Sequence, residues 1–156
     1  MKIILATDGS DHSRAATEEI ANRPFPDNTE VRIISAFASP IPYMYTPLPT
    51  GGMGDYYEEA KSIAQKAAKE AVENAAKLLQ ENNATLLIST AVINGSAKQA
   101  ILEQADIFGA DLIVVGSHGR GSFERFLLGS VSQAVALHAK CSVEIVRKQG
   151  MTEGDK

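Results

Sequence analysis

Hydrophobic residues along this chain fall into two alternating kinds of segment. Short apolar runs rich in β-branched residues recur at Ile3-Ile4-Leu5-Ala6, Val31 to Phe37, Ala84 to Ile93, Asp111 to Val115 and Ser142 to Arg147. Runs of this length and composition predict strands, and the most continuous of them suit a parallel sheet covered on both faces. Between them lie longer stretches with apolar residues three and four apart, which predict amphipathic helices. The first extends from a cap at Ser10 or Asp11 to about Asn22, with Ala16 and Ile20 turned inward. The second covers Tyr56 to Asn82, with an inner stripe of Ile63, Ala67, Ala71, Ala75 and Leu78 and a surface pair from Glu73 to Lys77. The third opens at Ser96, where Gln99 completes a capping box, and closes at Gly109. The fourth has the same signature at Ser130 with Gln133, and runs from Val131 to about Lys140.

Five strands alternating with four helices predict an α/β fold, an open five-stranded parallel sheet with helices on both faces and right-handed crossovers. Ligands of such sheets sit beyond the carboxyl ends of the strands, where strand order reverses. Three groups converge on that edge: Thr7-Asp8-Gly9 after the first strand, Ala36-Phe37 at the end of the second, and Gly116 to Gly119 after the fourth. The last strand alternates imperfectly and suits an edge of the sheet. One domain accounts for residues 1–150. A proline-rich loop at about 38–55 is expected to be flexible or to cover a ligand, and a polar tail covers 151–156.

The stretch Asp111 to Ser132 carries the chemistry. Its strand stops at Gly116 and gives way to a loop with further glycines at 119 and 121, before Gly129-Ser130 opens the last helix. A helix start leaves several backbone N–H groups without internal partners and carries partial positive charge, and glycine lets an oxygen approach the backbone closely. With the hydroxyls of Ser130 and Ser132 added, the pattern points to a phosphate site. The spacing is Gly116, two residues, Gly119, nine residues, Gly129-Ser130. That excludes the P-loop, which needs a Gly-Lys-Ser/Thr step absent here, and the dinucleotide fingerprint with its tightly spaced glycines.

This spacing resembles, position for position, the nucleotide-binding signature of the universal stress protein family in its ATP-binding branch. Ile3 to Ser10 looks like that family's first strand and turn, and the likeness runs from about residue 2 to 147. The resemblance implies a Rossmann-like fold of the adenine nucleotide alpha hydrolase type with ATP as ligand, its adenine lying against the ends of the first two strands. Asp8, next to Thr7, would accept from a ribose hydroxyl, and Ala36 would meet the adenine edge through its backbone. Gly116, Gly119, Gly129, Ser130, Val131 and Ser132 would cradle the phosphates, with Ser117 and His118 inside the motif. Arg120, and less strongly Arg125, could offset phosphate charge through a forked guanidinium. Any Mg²⁺ would arrive with the triphosphate and be completed by water and Ser130. The resemblance further implies a homodimer joined through the last strand, although the family's usual proline before that strand is replaced by Lys140-Cys141-Ser142.

Each of these residues also has a plainer reading. Asp8 can satisfy a turn, Ser130 can simply cap its helix, and Arg120 can face solvent. His12 and His138 read as surface or packing residues, and Cys141 as a small buried hydrophobe. No catalytic residue stands out, because hydrolysis needs a group to place water and the loop offers only His118, Glu124 and the arginines. No His, Cys and carboxylate grouping has metal-site spacing. The expected function is therefore a nucleotide-dependent stress-response binding module, with a slow ATPase or nucleotide-transferring enzyme, or a non-nucleotide interaction protein, as alternatives.

Composition narrows the partners. Nineteen acidic against fifteen basic residues leave a net charge of −4, which argues against nucleic acid and anionic membranes as partners. The single cysteine permits no intrachain disulfide and favours a reducing compartment. Asp8 interrupts the first apolar run before it reaches signal-peptide length, and no run approaches the roughly 18 apolar residues of a membrane span. A cytoplasmic location is expected.

Overall fold

The computed structural model describes residues 1–39, 53–120 and 127–148. Within them the order is β1 (Lys2–Ala6), α1 (Asp11–Asn22), β2 (Glu30–Phe37), α2 (Met53–Asn82), β3 (Leu87–Asn94), α3 (Ala97–Phe108), β4 (Leu112–Gly116), α4 (Ser130–His138) and β5 (Ser142–Val146). The strands form one sheet in the order β3-β2-β1-β4-β5, and every neighbouring pair is parallel. The chain steps outward from β1 to β3, returns across β1 to β4, and then continues to β5. Strand order therefore reverses between β1 and β4, where Ile4 pairs with Ile113 and Leu5 with Val114.

Alternation within the strands divides the core into two layers. Ile3, Leu5, Val31, Ile33, Leu112 and Val114 pack with Ala16 and Ile20 of α1 and Val72 and Leu79 of α2. Ile4, Ile34, Ile113 and Val115 face the other way, onto Ile101, Ala105 and Phe108 of α3 and Val135 of α4. Both faces of the central strands are covered, which is why β1 after Lys2 and all of β4 are apolar, whereas β2 carries Arg32, whose guanidinium lies over the Phe108 ring at 4.2 Å. The edge strand β5 is tied to α1 by charge. Arg23 forks onto Glu144 with two contacts of 2.8 Å, and Lys148 reaches Asp11 at 2.7 Å.

Several boundaries differ from the expected ones, each for a local reason. The inner stripe of α2 is Ala68, Ala71, Val72, Ala75 and Leu79, whereas Ile63 is 62% exposed, so the buried face is rotated from the expected stripe. The helix begins at Met53, with Asp55 in its first turn complementing the helix dipole. Glu73 pairs with Lys69 at 3.8 Å, and Lys77 turns forward to Glu81 at 3.9 Å. Strand β3 starts at Leu87 because the Asn83 side chain holds a turn, accepting from the Thr85 amide at 3.3 Å and its hydroxyl at 2.8 Å. Helix α4 is capped by Gly129, with Ser130 as its first helical residue and no side-chain cap, and it ends at His138. Ser96 likewise sits at an N-cap without a side-chain hydrogen bond. Most of the 38–55 loop, together with Gly121, Glu124, Arg125 and the 151–156 tail, lies outside the described residues.

Candidate functional site

A cavity of about 310 Å³ opens at the carboxyl ends of β1 and β4. Its wall includes Thr7, Asp8, Ala36, Gly116, His118, Gly119, Arg120, Gly129, Ser130, Val131 and Ser132. Three separate parts of the chain thus meet at the point where strand order reverses. Ile34, Val115, Ile101 and Ala97 add an apolar surface, and Ser13 adds a hydroxyl.

Asp8 joins the two halves of the site. The Ser10 amide donates to its Oδ1 at 2.9 Å, and the Arg120 amide donates to its Oδ2 at 3.1 Å. Burial opposes ionisation of this carboxyl, but hydrogen bonds from Ser10, Ser13 and the Arg120 amide outweigh it and hold the group below its ordinary value. Asp8 is therefore ionised at neutral pH. A side chain at Gly119 would place its Cβ 2.9 Å from Asp8 Oδ2, so it would displace the carboxylate from this clip between turn and loop.

Gly116 is fixed by packing from below. A Cβ there would lie 2.6 Å from the His12 carbonyl carbon and 2.8 Å from the Ser13 amide nitrogen. The first turn of α1 therefore rests directly on the end of β4. That turn is capped by Ser10, whose hydroxyl accepts from the Ser13 amide at 3.3 Å. Ser13 is 4% exposed, and its hydroxyl lies 3.1 Å from that of Thr7. Ser13 escaped the sequence reading although the Ser10/Ser13 spacing puts both hydroxyls on one helical turn.

Ser117 belongs to the scaffold of the loop. It is 1% exposed and is absent from the cavity wall. Its amide donates to the Val146 carbonyl at 2.8 Å, and its own carbonyl accepts from the Gly129 amide at 2.8 Å and the Ser132 hydroxyl at 3.0 Å. These bonds draw the end of β4 against the start of α4. The single Ser132 hydroxyl hydrogen is shared between the Ser117 carbonyl and the Gly129 carbonyl, the latter at 2.9 Å, so it is turned back into the protein. The N-cap, Gly129, has no side chain, so the amides that open α4 receive no side-chain oxygen, while Ser130 and Val131 line the cavity. An uncapped helix start of this kind accepts an anion.

His12 is not a passive surface residue. Its Nδ1 lies 3.4 Å from the Ser117 hydroxyl, and its ring centre is 5.0 Å from that of His118. Cys141 lies outside the site, packed at the margin of the α3/α4 core, where burial pushes its thiol pKa up and away from reactivity.

The pattern described as the Universal stress protein family matches residues 1–147. The chain belongs to the universal stress protein family. Among its relatives, a universal stress protein of Methanocaldococcus jannaschii is 33% identical over 148 residues, covering 94% of this chain and 82% of the relative. The universal stress protein UspA from Lactobacillus plantarum has the same fold, with a TM-score of 0.76 and 25% identity over 94% of this chain and 97% of its own. A universal stress protein solved in complex with cAMP superposes with a TM-score of 0.61 and 25% identity, over 96% of this chain and 98% of that one. Family membership and the parallel sheet topology agree, and among the described residues no helix is long and apolar enough to cross a membrane.

Proposed function

We propose that this universal stress protein is a cytoplasmic binding module for ATP, or a related adenine nucleotide, whose nucleotide state alters its conformation or partners. The observation that carries the reading is the polarity of one cavity, which holds both an ionised carboxylate at Asp8 and an uncapped helix start at α4. A single ligand that suits both needs hydroxyl donors for the first and an anionic group for the second. A phosphorylated sugar has that pattern, and the apolar surface of Ile34, Ile101 and Val115 suits an attached base. On this reading Asp8 accepts from the ribose, with Thr7 beside it, and Ala36 borders the adenine. Gly116, Gly119, Gly129, Ser130, Val131 and Ser132 enclose the phosphates, with Arg120 at their edge. The relative solved with cAMP supports the ligand class. Mg²⁺ fits as a companion of the triphosphate, with water and the Ser130 hydroxyl as ligands.

The decisive experiment is to denature freshly purified protein and identify the released small molecules by mass, followed by calorimetric titration with ATP. Bound adenine nucleotide, and at least a tenfold loss of affinity in Asp8→Ala, is the expected result. No copurified nucleotide and no heat with millimolar ATP would remove the reading. Multiple-turnover ADP release that disappears in Asp8→Ala would favour the slow ATPase alternative.

The same reading includes a homodimer through β5, whose outer edge has no neighbour in the sheet among the described residues. Val143 and Ile145 pack against the α3/α4 core, so charges at these positions would disturb the fold as well as an interface. Val143→Pro is the cleaner test. The Val146 carbonyl faces β4, through the Ser117 amide, so by strand alternation the Val143 N–H faces outward. Sedimentation should give twice the 16.6 kDa chain mass for the wild type and a monomer for the variant. A monomeric wild type would exclude the dimer.

A further inference from the structure

Three polar side chains beneath the glycine loop form a connected group. The Ser117 hydroxyl lies 3.0 Å from His118 Nδ1 and 3.4 Å from His12 Nδ1, and the two imidazole centres are 5.0 Å apart with a 53° tilt. One hydroxyl carries one hydrogen, so it donates to one imidazole and accepts from the other. Only two neutral arrangements satisfy both contacts. In the first, His118 Nδ1–H donates to Ser117 and Ser117 donates to His12, which leaves His118 Nε2 as a bare lone pair. In the second the direction is reversed: His12 Nδ1–H donates to Ser117, Ser117 donates to His118 Nδ1, and His118 Nε2 carries the hydrogen. His118 Nε2 is, among the described residues, the one buried side-chain nitrogen or oxygen without a partner. Its residue lines the cavity between the two glycines of the loop. A buried polar atom left unpaired by the protein is accounted for if its partner arrives from outside.

We propose that His118 recognises the phosphoryl group, its Nε2–H donating to an anionic oxygen of the ligand, and that His12 and Ser117 are positioning residues that hold it in the required tautomer. This rests on the nucleotide reading and adds to it a residue from α1 that the glycine motif does not contain. A lone pair at Nε2 repels an anionic oxygen and an N–H attracts it, so of the two neutral arrangements a phosphate selects the second. The contact of His12 with the loop has the same origin as the glycine at 116, since the backbone of His12 and Ser13 lies against the end of β4.

The test uses the full chain with ¹⁵N-labelled histidine and two-bond ¹H–¹⁵N correlation spectra. The protein has three histidines, and His138 is an internal reference, because its Nδ1 lies 2.9 Å from the Ala134 carbonyl, which can only accept. With saturating ATP, His118 should show a protonated Nε2 and an unprotonated Nδ1. An Nδ1–H tautomer of His118 in the ATP-saturated protein would overturn the proposal. In variants, the ratio of ATP to adenosine affinity should fall about tenfold in His118→Ala, the order expected for one hydrogen bond to a charged group. It should recover in His118→Gln, whose amide nitrogen replaces the donor. Ser117→Ala and His12→Phe should lower the ratio less and leave His118 averaged between tautomers. An unchanged ratio in His118→Ala overturns this inference while nucleotide binding stands. A wild type that binds neither ATP nor adenosine removes both.

Discussion

At the scale of single residues, the site is governed by one close approach of backbone to backbone that only glycine permits. Gly116 has backbone on the side where a Cβ would point, at 2.6–2.8 Å, and neither neighbour is a flexible side-chain end that could swing away. Gly116→Ala should therefore cost at least about 2 kcal/mol, a penalty at the upper end of ordinary overpacking, and lower Tm by several degrees. Differential scanning fluorimetry would show this, and an unchanged Tm would mean that α1 does not rest on β4 as described. Asp8 supplies a prediction of opposite character, one that depends on pH. Its carboxyl has a lower pKa in the folded protein than in the unfolded chain, so the stability it contributes is present above the unfolded value. It is lost as pH falls through the folded value. Urea midpoints measured between about pH 3 and 7 should thus fall more steeply on the acid side for the wild type than for Asp8→Asn. Parallel curves would show that the hydrogen bonds from Ser10 and Arg120 do not favour the ionised form.

At the scale of elements, the long helix α2 shows how far periodicity carries. A spacing of three and four residues identified the helix, but several alanine stripes around it satisfy the same rule, and Ile63 drew the expected face toward itself. The sheet settles the matter by contacting Val72 and Leu79, both within 2% of full burial. Leu79→Ala should cost about 3 kcal/mol by cavity formation, whereas Ile63→Ala should be nearly neutral. Equal losses in chemical denaturation would place Ile63 in a contact not seen here. The strands were easier to read, because β1 after Lys2 and the whole of β4 are apolar and a two-sided burial needs no phase. The start of β3 and the cap of α4 were not legible. In one, an asparagine side chain substitutes for strand pairing. In the other, the helix starts one residue early, so that Gly129 rather than Ser130 is the N-cap and no side chain caps it. The glycine loop and Asp8 stand in the motif itself and could be named in advance. Ser13, Ile34 and Ile101 enter the cavity wall only through the return of the chain across the sheet, which no local pattern specifies.

At the scale of the whole molecule, the reversal of strand order creates a site whose pieces come from the beginning, middle and end of the chain. Its assembly therefore depends on contacts of high sequence separation, among them the Asp8 to Arg120 clip and the Ser117 to Val146 ladder bond. The edge strand β5 is the part of this frame held most by charge, through Arg23 with Glu144 and Lys148 with Asp11. The exposed Lys148–Asp11 pair weakens as mobile ions screen it, the half-buried Arg23–Glu144 fork weakens less and apolar packing does not, so ionic strength should loosen the sheet from that side first. In native-state hydrogen exchange, amides of β5 should lose protection in 1 M sodium chloride before those of β1 or β2. Uniform loss across the sheet would contradict this. Because Ser117 is bonded to Val146, a frayed last strand would also slacken the loop above it, and the affinity of the cavity for an anion would register the salt concentration twice, once by shielding and once through the frame.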